Sequence, residues 1–230
     1  MTPPVTVQPD PPAPAPDLAA TRPLLRGWIH LVAFVVTVIG APFVIAQAPT
    51  AGSAAALAIY MTTIAGLFGV SAAFHRIRWS PAARRRMRRA DHATIFIAIA
   101  GTNTAVAGLA LSGWPQILIL ALVWGGAAIG IIVRQTWLDA PKWAIAIPYV
   151  VVGWCAVVVL PQLSHALGGA GLGLLIAGGA FYTAGALVYA LRKPDPVPGV
   201  FGYHEVFHAC TVVGASLHFV VVMVYALPRA

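Results

Sequence analysis

Near the C-terminal end, Tyr203-His204-Glu205-Val206-Phe207-His208 opens a long apolar run that continues through Thr211 to His218. Ionisable side chains are costly in such a run. His204 and His208 are spaced i, i+4, so on a helix they lie one above the other on one face. That spacing offers two nitrogens to one metal ion. A third ligand must come from elsewhere in the chain. The same five residues match H-E-x-x-H, in which Glu205 would be the general base of a zinc protease. Such proteases usually take a third, carboxylate ligand from a later helix. Here the motif is on the final helix and nothing acidic follows it. Leu138-Asp139-Ala140 is a weak echo of their Asp motif. An intramembrane metalloprotease therefore stays open as an alternative.

The elements that must hold these residues are written in the composition. The chain has 230 residues, is 60% hydrophobic and only 9% charged, with a mean hydropathy of +0.85. Repeated apolar stretches of about 20 residues predict transmembrane helices. The expected fold is all-α, a polytopic membrane protein with a seven-helix bundle over 23–230. The spans are predicted at Leu24–Ala46, Ala54–Phe74, Asp91–Leu111, Pro115–Val133, Lys142–Leu160, Gly168–Leu191 and Gly202–Ala226. Residues 1–22, rich in Pro and Ala, predict a disordered cytoplasmic tail. Cys155 and Cys210 fall in apolar segments and read as packing residues. Trp28, Trp114, Trp137 and Trp143, near segment ends, fit an interfacial aromatic belt.

Charge sets the orientation. With the N-terminus cytoplasmic and the C-terminus outside, thirteen of the fourteen Lys and Arg lie on the inner side, and Arg229 alone lies outside. Positive charge accumulates on the cytoplasmic side. The net charge of +8 therefore speaks for topology rather than for nucleic acid. The basic loop Arg76–Arg89 is an expected contact for anionic lipid headgroups.

This orientation gathers ionisable groups into one cytoplasmic layer. His30 is near the inner end of the first helix. His75 ends the second, with Ser71 one turn above. Asp91 and His92 open the third, and His204, Glu205 and His208 open the last. The expected assembly is Zn2+ held by His75, His204 and His208. Three protein nitrogens with an open position suit a catalytic zinc. Asp91 would take a proton from the water such a metal activates, and Ser71 would orient that water. His30 and His92 are candidates for support around the ligands. Glu205 points about 100° from His204, toward a neighbouring helix or the interface. His218 lies about 15 Å along the helix from His208, too far to share the metal, and would line a cavity or bond a neighbouring helix. His165 is expected in an outer loop. The competing account is that these groups are separate hydrogen-bonders holding helices together.

Ser71-Ala72-Ala73-Phe74-His75, Asp91-His92 leading to Ile99-Ala100-Gly101-Thr102, Gly202 through His208, and Gly214 with His218-Phe219 resemble the hemolysin III family. That is the bacterial branch of the progestin and adipoQ receptor superfamily, related to adiponectin receptors and alkaline ceramidases. The resemblance runs from the first helix to the last. It implies a seven-helix bundle with zinc near the cytoplasmic face of a bacterial plasma membrane. It also implies His75, His204 and His208 as ligands, with Ser71 and Asp91 beside the activated water. Adiponectin receptors resemble this segment but carry Gln at the place of Glu205, which speaks against an obligatory base there. Ala105 stands where the family often has Pro. The implied function is membrane lipid homeostasis through hydrolysis of a lipid amide or ester. The alternatives are a metal-dependent regulator or sensor without turnover, and the cytolysis that the family name suggests.

Overall fold

The computed structural model describes residues 23–230, so the predicted tail at 1–22 lies outside the described residues. Seven α-helices follow one another: α1 Trp28–Ile45, α2 Ala51–Arg76, α3 Pro81–Ala110, α4 Trp114–Thr136, α5 Lys142–Gly153, α6 Leu160–Leu191 and α7 Tyr203–Val220. A short 3-10 turn, Cys155–Val159, joins α5 to α6. The last helix continues as π-helix over Val221–Ala226. No β-strand forms among the described residues; Val197 and Phe201 make one isolated bridge.

Among the described residues, six stretches are long and apolar enough to cross a membrane, and one of them, Lys142–Leu191, runs for 50 residues. The outward faces show why this is a membrane protein. On α1, Val32, Val36, Ile39 and Phe43 are 60–71% exposed, while His30 and Val44 are its buried residues. In water such a face would aggregate; in lipid it is solvated. The core lies between α2, α3 and α4, where Leu57, Tyr60, Phe68, Phe96, Ala100, Ile119 and Val123 are buried.

Three boundaries differ from the sequence expectation. The α3 helix begins at Pro81, ten residues before Asp91, so Arg84 to Arg89 are helical rather than loop. Ser80 caps it, accepting from the Ala83 N–H, and Pro81 fills the first turn. Arg and Ala are strong helix formers once a cap is present. With Ala at 105 the helix also runs on unbroken to Ala110. The fifth helix is shorter than expected. It contains Pro148 and ends at Gly153. Finally, α6 starts at Leu160, so His165 is helical, although exposed as expected.

The predicted boundary at Gly168 survives as a break inside α6, with φ 70° and ψ 174°. Only glycine adopts that conformation without strain. The chain doubles back there: the Trp154 indole N–H donates to Thr183 Oγ1 at 2.9 Å, from one side of the break to the other.

Candidate metal centre and cavity

The last turn of α2 and the first two turns of α7 meet beside the start of α1. Each has a sequence reason to be there. The Glu205 carboxylate accepts from the Gly202 N–H at 2.9 Å, and Asp195 Oδ1 accepts from the Tyr203 N–H at 3.0 Å. Those two donors would otherwise be orphans of the helix start. Leu24 and Leu25 N–H donate to the Gly199 and Val200 carbonyls at 3.0 and 3.2 Å, tying the segment before α1 to the turn before α7. Gly27 then turns the chain into α1 at φ 81°, and a Cβ there would stand 2.9 Å from His75 Cβ. Gly27→Ala is expected to destabilise the protein by about 1–2 kcal/mol through the left-handed backbone alone, and to displace His75. Thermal unfolding in detergent measures the first effect and metal affinity the second.

The result is a cluster of three imidazoles. One ring nitrogen from each of His75, His204 and His208 lies within 4.8 Å of the others. His75 Nε2 and His204 Nε2 are 3.1 Å apart. Two nitrogens bound tetrahedrally to zinc at its usual bond length stand about 3.3 Å apart. The donor set is therefore of the right type for a metal, and its His75–His204 pair stands close to that spacing, with no carboxylate among its members. His208 is buried, and His75 and His204 are partly buried. The fold brings His75 of α2 beside His204 and His208, which share one face of α7.

A cavity of about 130 Å³ adjoins the cluster. His204, His208, Ser71, Asp91, His92, His30 and His218 all line it, among walls that are otherwise mostly apolar. Asp91 and Ser71 are both buried and face one another from α3 and α2. Asp91 is the cavity's carboxylate among the lining residues. One wall, formed by Gly153 and Trp154 at the end of α5 and by α6 around Thr183 and Ala186, is partly exposed on the apolar outer surface.

The remaining sequence candidates separate. His30 stacks on His208, ring centroids 3.8 Å apart and planes 15° from parallel. His218 binds the Leu175 carbonyl through Nε2 at 3.0 Å, so it both lines the cavity and bonds a neighbouring helix. Glu205 is fully enclosed and pairs with Arg26, which precedes α1, besides capping α7. Of the two places expected for Glu205, the structure chooses the neighbouring element. Its oxygens are engaged on the far side of the helix start, so it is not among the cavity residues. Glu205→Gln, which keeps the acceptor for the cap, is expected to retain metal and any activity. Arg26→Ala, which strands a buried carboxylate, is expected to cost about 3 kcal/mol of stability. Unfolding midpoints and metal content of the two variants check this pair of outcomes.

Two residues escaped the sequence reading. Arg26 and Arg134 counted only as topology charges, yet Arg26 holds Glu205 and Arg134 is buried against His92. The available signal was their position: each is a cation at the edge of an apolar stretch, within reach of the polar layer.

Residues 18–219 match the haemolysin-III-related family. The chain belongs to that family. It is similar to Hemolysin-3 of Bacillus cereus, 30% identical over 181 residues, which is 79% of this chain and 80% of that protein. It is also similar to a Hemolysin-3 homolog of Bacillus subtilis (strain 168), 29% identical over 137 residues, 60% of this chain and 62% of the relative. The chain is thus an all-helical, multi-pass membrane protein of the haemolysin III family.

Proposed function

We propose that this protein is a zinc-dependent hydrolase of a lipid amide or ester, working in membrane lipid homeostasis at the inner face of a bacterial plasma membrane. The observation that carries this reading is the three-histidine cluster opening onto a cavity that is apolar except for Asp91, Ser71 and further imidazoles. A structural metal needs no such cavity; an acyl chain does. The partly exposed wall at Gly153, Trp154 and α6 suits entry from the lipid side.

The chain crosses the membrane seven times in this reading. Fifty residues of continuous helix would be about 75 Å long, more than twice the hydrocarbon thickness of about 30 Å. The reversal at Gly168 supports two crossings within Lys142–Leu191. The N-terminus is cytoplasmic and the C-terminus outside, because that places the helical arginines of α3 against anionic headgroups.

Zinc held by His75, His204 and His208 would acidify a water and polarise a carbonyl oxygen. The chain's own residues do the rest. Water oxygen bonds to the carbonyl carbon while Asp91 takes the proton at a carboxylate oxygen. The C–N or C–O bond then breaks, and Asp91 returns the proton to the leaving amine or alcohol. Ser71 holds Asp91 in its orientation.

The test is elemental analysis of protein purified without chelators, beside an assay of fatty-acid release from an N-acyl sphingosine and an acyl ester. About one zinc per chain with release of either acid is expected. A metal-free wild type would refute the reading. The name hemolysin, carried by both relatives, supports a second reading, lysis of red cells. Lysis by purified protein that is undiminished in Asp91→Asn would favour it.

A further inference from the structure

Arg134 lies in the last turn of α4 but is only 4% exposed, the one cation among the buried polar residues described. All its nitrogens donate. Nε reaches His92 Nδ1 at 2.6 Å, one terminal nitrogen binds the Trp137 carbonyl, and the other binds the Leu138 carbonyl at 2.6 Å. The ion pairs among the described residues are Arg26 with Glu205 and Arg88 with Asp139, so no carboxylate is in ion-pair contact with Arg134. Burying a guanidinium without a carboxylate in contact is expensive. Capping two carbonyls at a helix end does not require it, since arginines do that from the surface. What burial adds is the contact with His92.

A guanidinium has donors only. His92 Nδ1 must therefore present its lone pair, and the neutral ring carries its proton on Nε2. That N–H is the polar group left to the ring. It has no hydrogen-bond partner among the described residues, and His92 lines the cavity beside Asp91. The backbone is clamped as well: the Tyr149 hydroxyl donates to the His92 carbonyl at 3.1 Å.

We infer that His92 Nε2–H is the donor that receives the carbonyl oxygen of the bond to be broken, with Arg134 as its positioning residue. The inference rests on the hydrolytic reading above. As water oxygen bonds to the carbonyl carbon, the π electrons move onto the carbonyl oxygen. The Nε2–H stabilises that negative charge by hydrogen bonding and gives up no proton. When the bond to the leaving group breaks, the electrons return and C=O re-forms. The positive charge behind the ring sharpens the donor in surroundings where few dipoles compete. A neutral imidazole of fixed tautomer is known to serve as an electrophile in this way.

The experiment uses full-length protein in detergent, labelled with 15N-histidine. The His92 signals are assigned by their loss in His92→Phe. A protonated Nε2 with a bare Nδ1 is expected in the wild type, and a mixture of tautomers in Arg134→Met. Protonated Nδ1 in the wild type overturns the inference. In mixed micelles with a fluorescent N-acyl sphingosine, His92→Phe should lower kcat about 100-fold, with KM and zinc content close to wild type. His92→Gln, which restores an N–H donor, should recover part of the loss. Arg134→Met, with His92 in place but unheld, should lose kcat by a smaller factor. Unchanged kcat in His92→Phe, with an active wild type, overturns the donor role and spares the hydrolytic reading. A wild type inert toward the probe refutes the hydrolytic reading and the donor role with it, while the tautomer signals still decide whether Arg134 fixes the ring.

Discussion

Asp91→Asn should leave the zinc content of the protein unchanged and lower the rate of lipid amide or ester hydrolysis by about 100-fold or more. The substitution keeps the size and most of the hydrogen-bonding shape of a side chain that is buried against Ser71. It removes one capacity, that of taking a proton. General acid–base groups contribute about 100- to 10,000-fold, and the cavity offers no second carboxylate to substitute. The three histidines are untouched, because Asp91 is not in their cluster. Ser71→Ala should give a smaller loss, since in the proposed mechanism Ser71 orients and moves no proton. If Asp91→Asn turned over a proven lipid substrate as fast as wild type, the proton would be moving elsewhere and the assigned role would be wrong. A substitution that lost metal and activity together would instead point to a structural role for Asp91.

The parts of the site legible in the sequence are those fixed by local geometry. His204 and His208 share a face because a helix repeats every 3.6 residues. His75 and Asp91 could be added because charge orientation gave each apolar span a depth. What stayed hidden depends on long-range packing. The Arg26–Glu205 pair joins residues 179 apart in sequence, and the His92–Arg134 contact joins residues 42 apart. No period relates such positions. The stack of His30 on His208 is similar: spacing placed both at one depth, but not face to face. The early start of α3 is not legible because an arginine-rich stretch has no apolar periodicity, and its cap at Ser80 is one residue. The Gly168-Gly169 pair marks the break inside α6. The short 3-10 link after Gly153 carries no comparable punctuation, so the end of α5 is not legible in the sequence.

His75→Ala, His204→Ala and His208→Ala should each reduce zinc to near background, and the three should differ in what else they cost. With two nitrogens left, tetrahedral coordination lacks half its ligands, and binding at ordinary free zinc is lost. Metal that binds the folded state alone stabilises it by about 2.7 kcal/mol at 100 times its dissociation constant. Adding chelator should therefore lower the unfolding temperature of the wild type and leave the variants unmoved. The residual differences follow from the packing. His208 is buried and stacked on His30, so His208→Ala also opens a cavity and should be the least stable of the three. In the chelated wild type, the 3.1 Å contact lets His75 and His204 share a proton between their Nε2 atoms. That bond should keep the chelated wild type about 1 kcal/mol above His204→Ala. Equal midpoints for those two would mean that the rings are held together by the metal alone. A wild type whose midpoint ignores chelator, and whose metal content matches that of the variants, would reduce the cluster to a set of interhelical hydrogen-bonders.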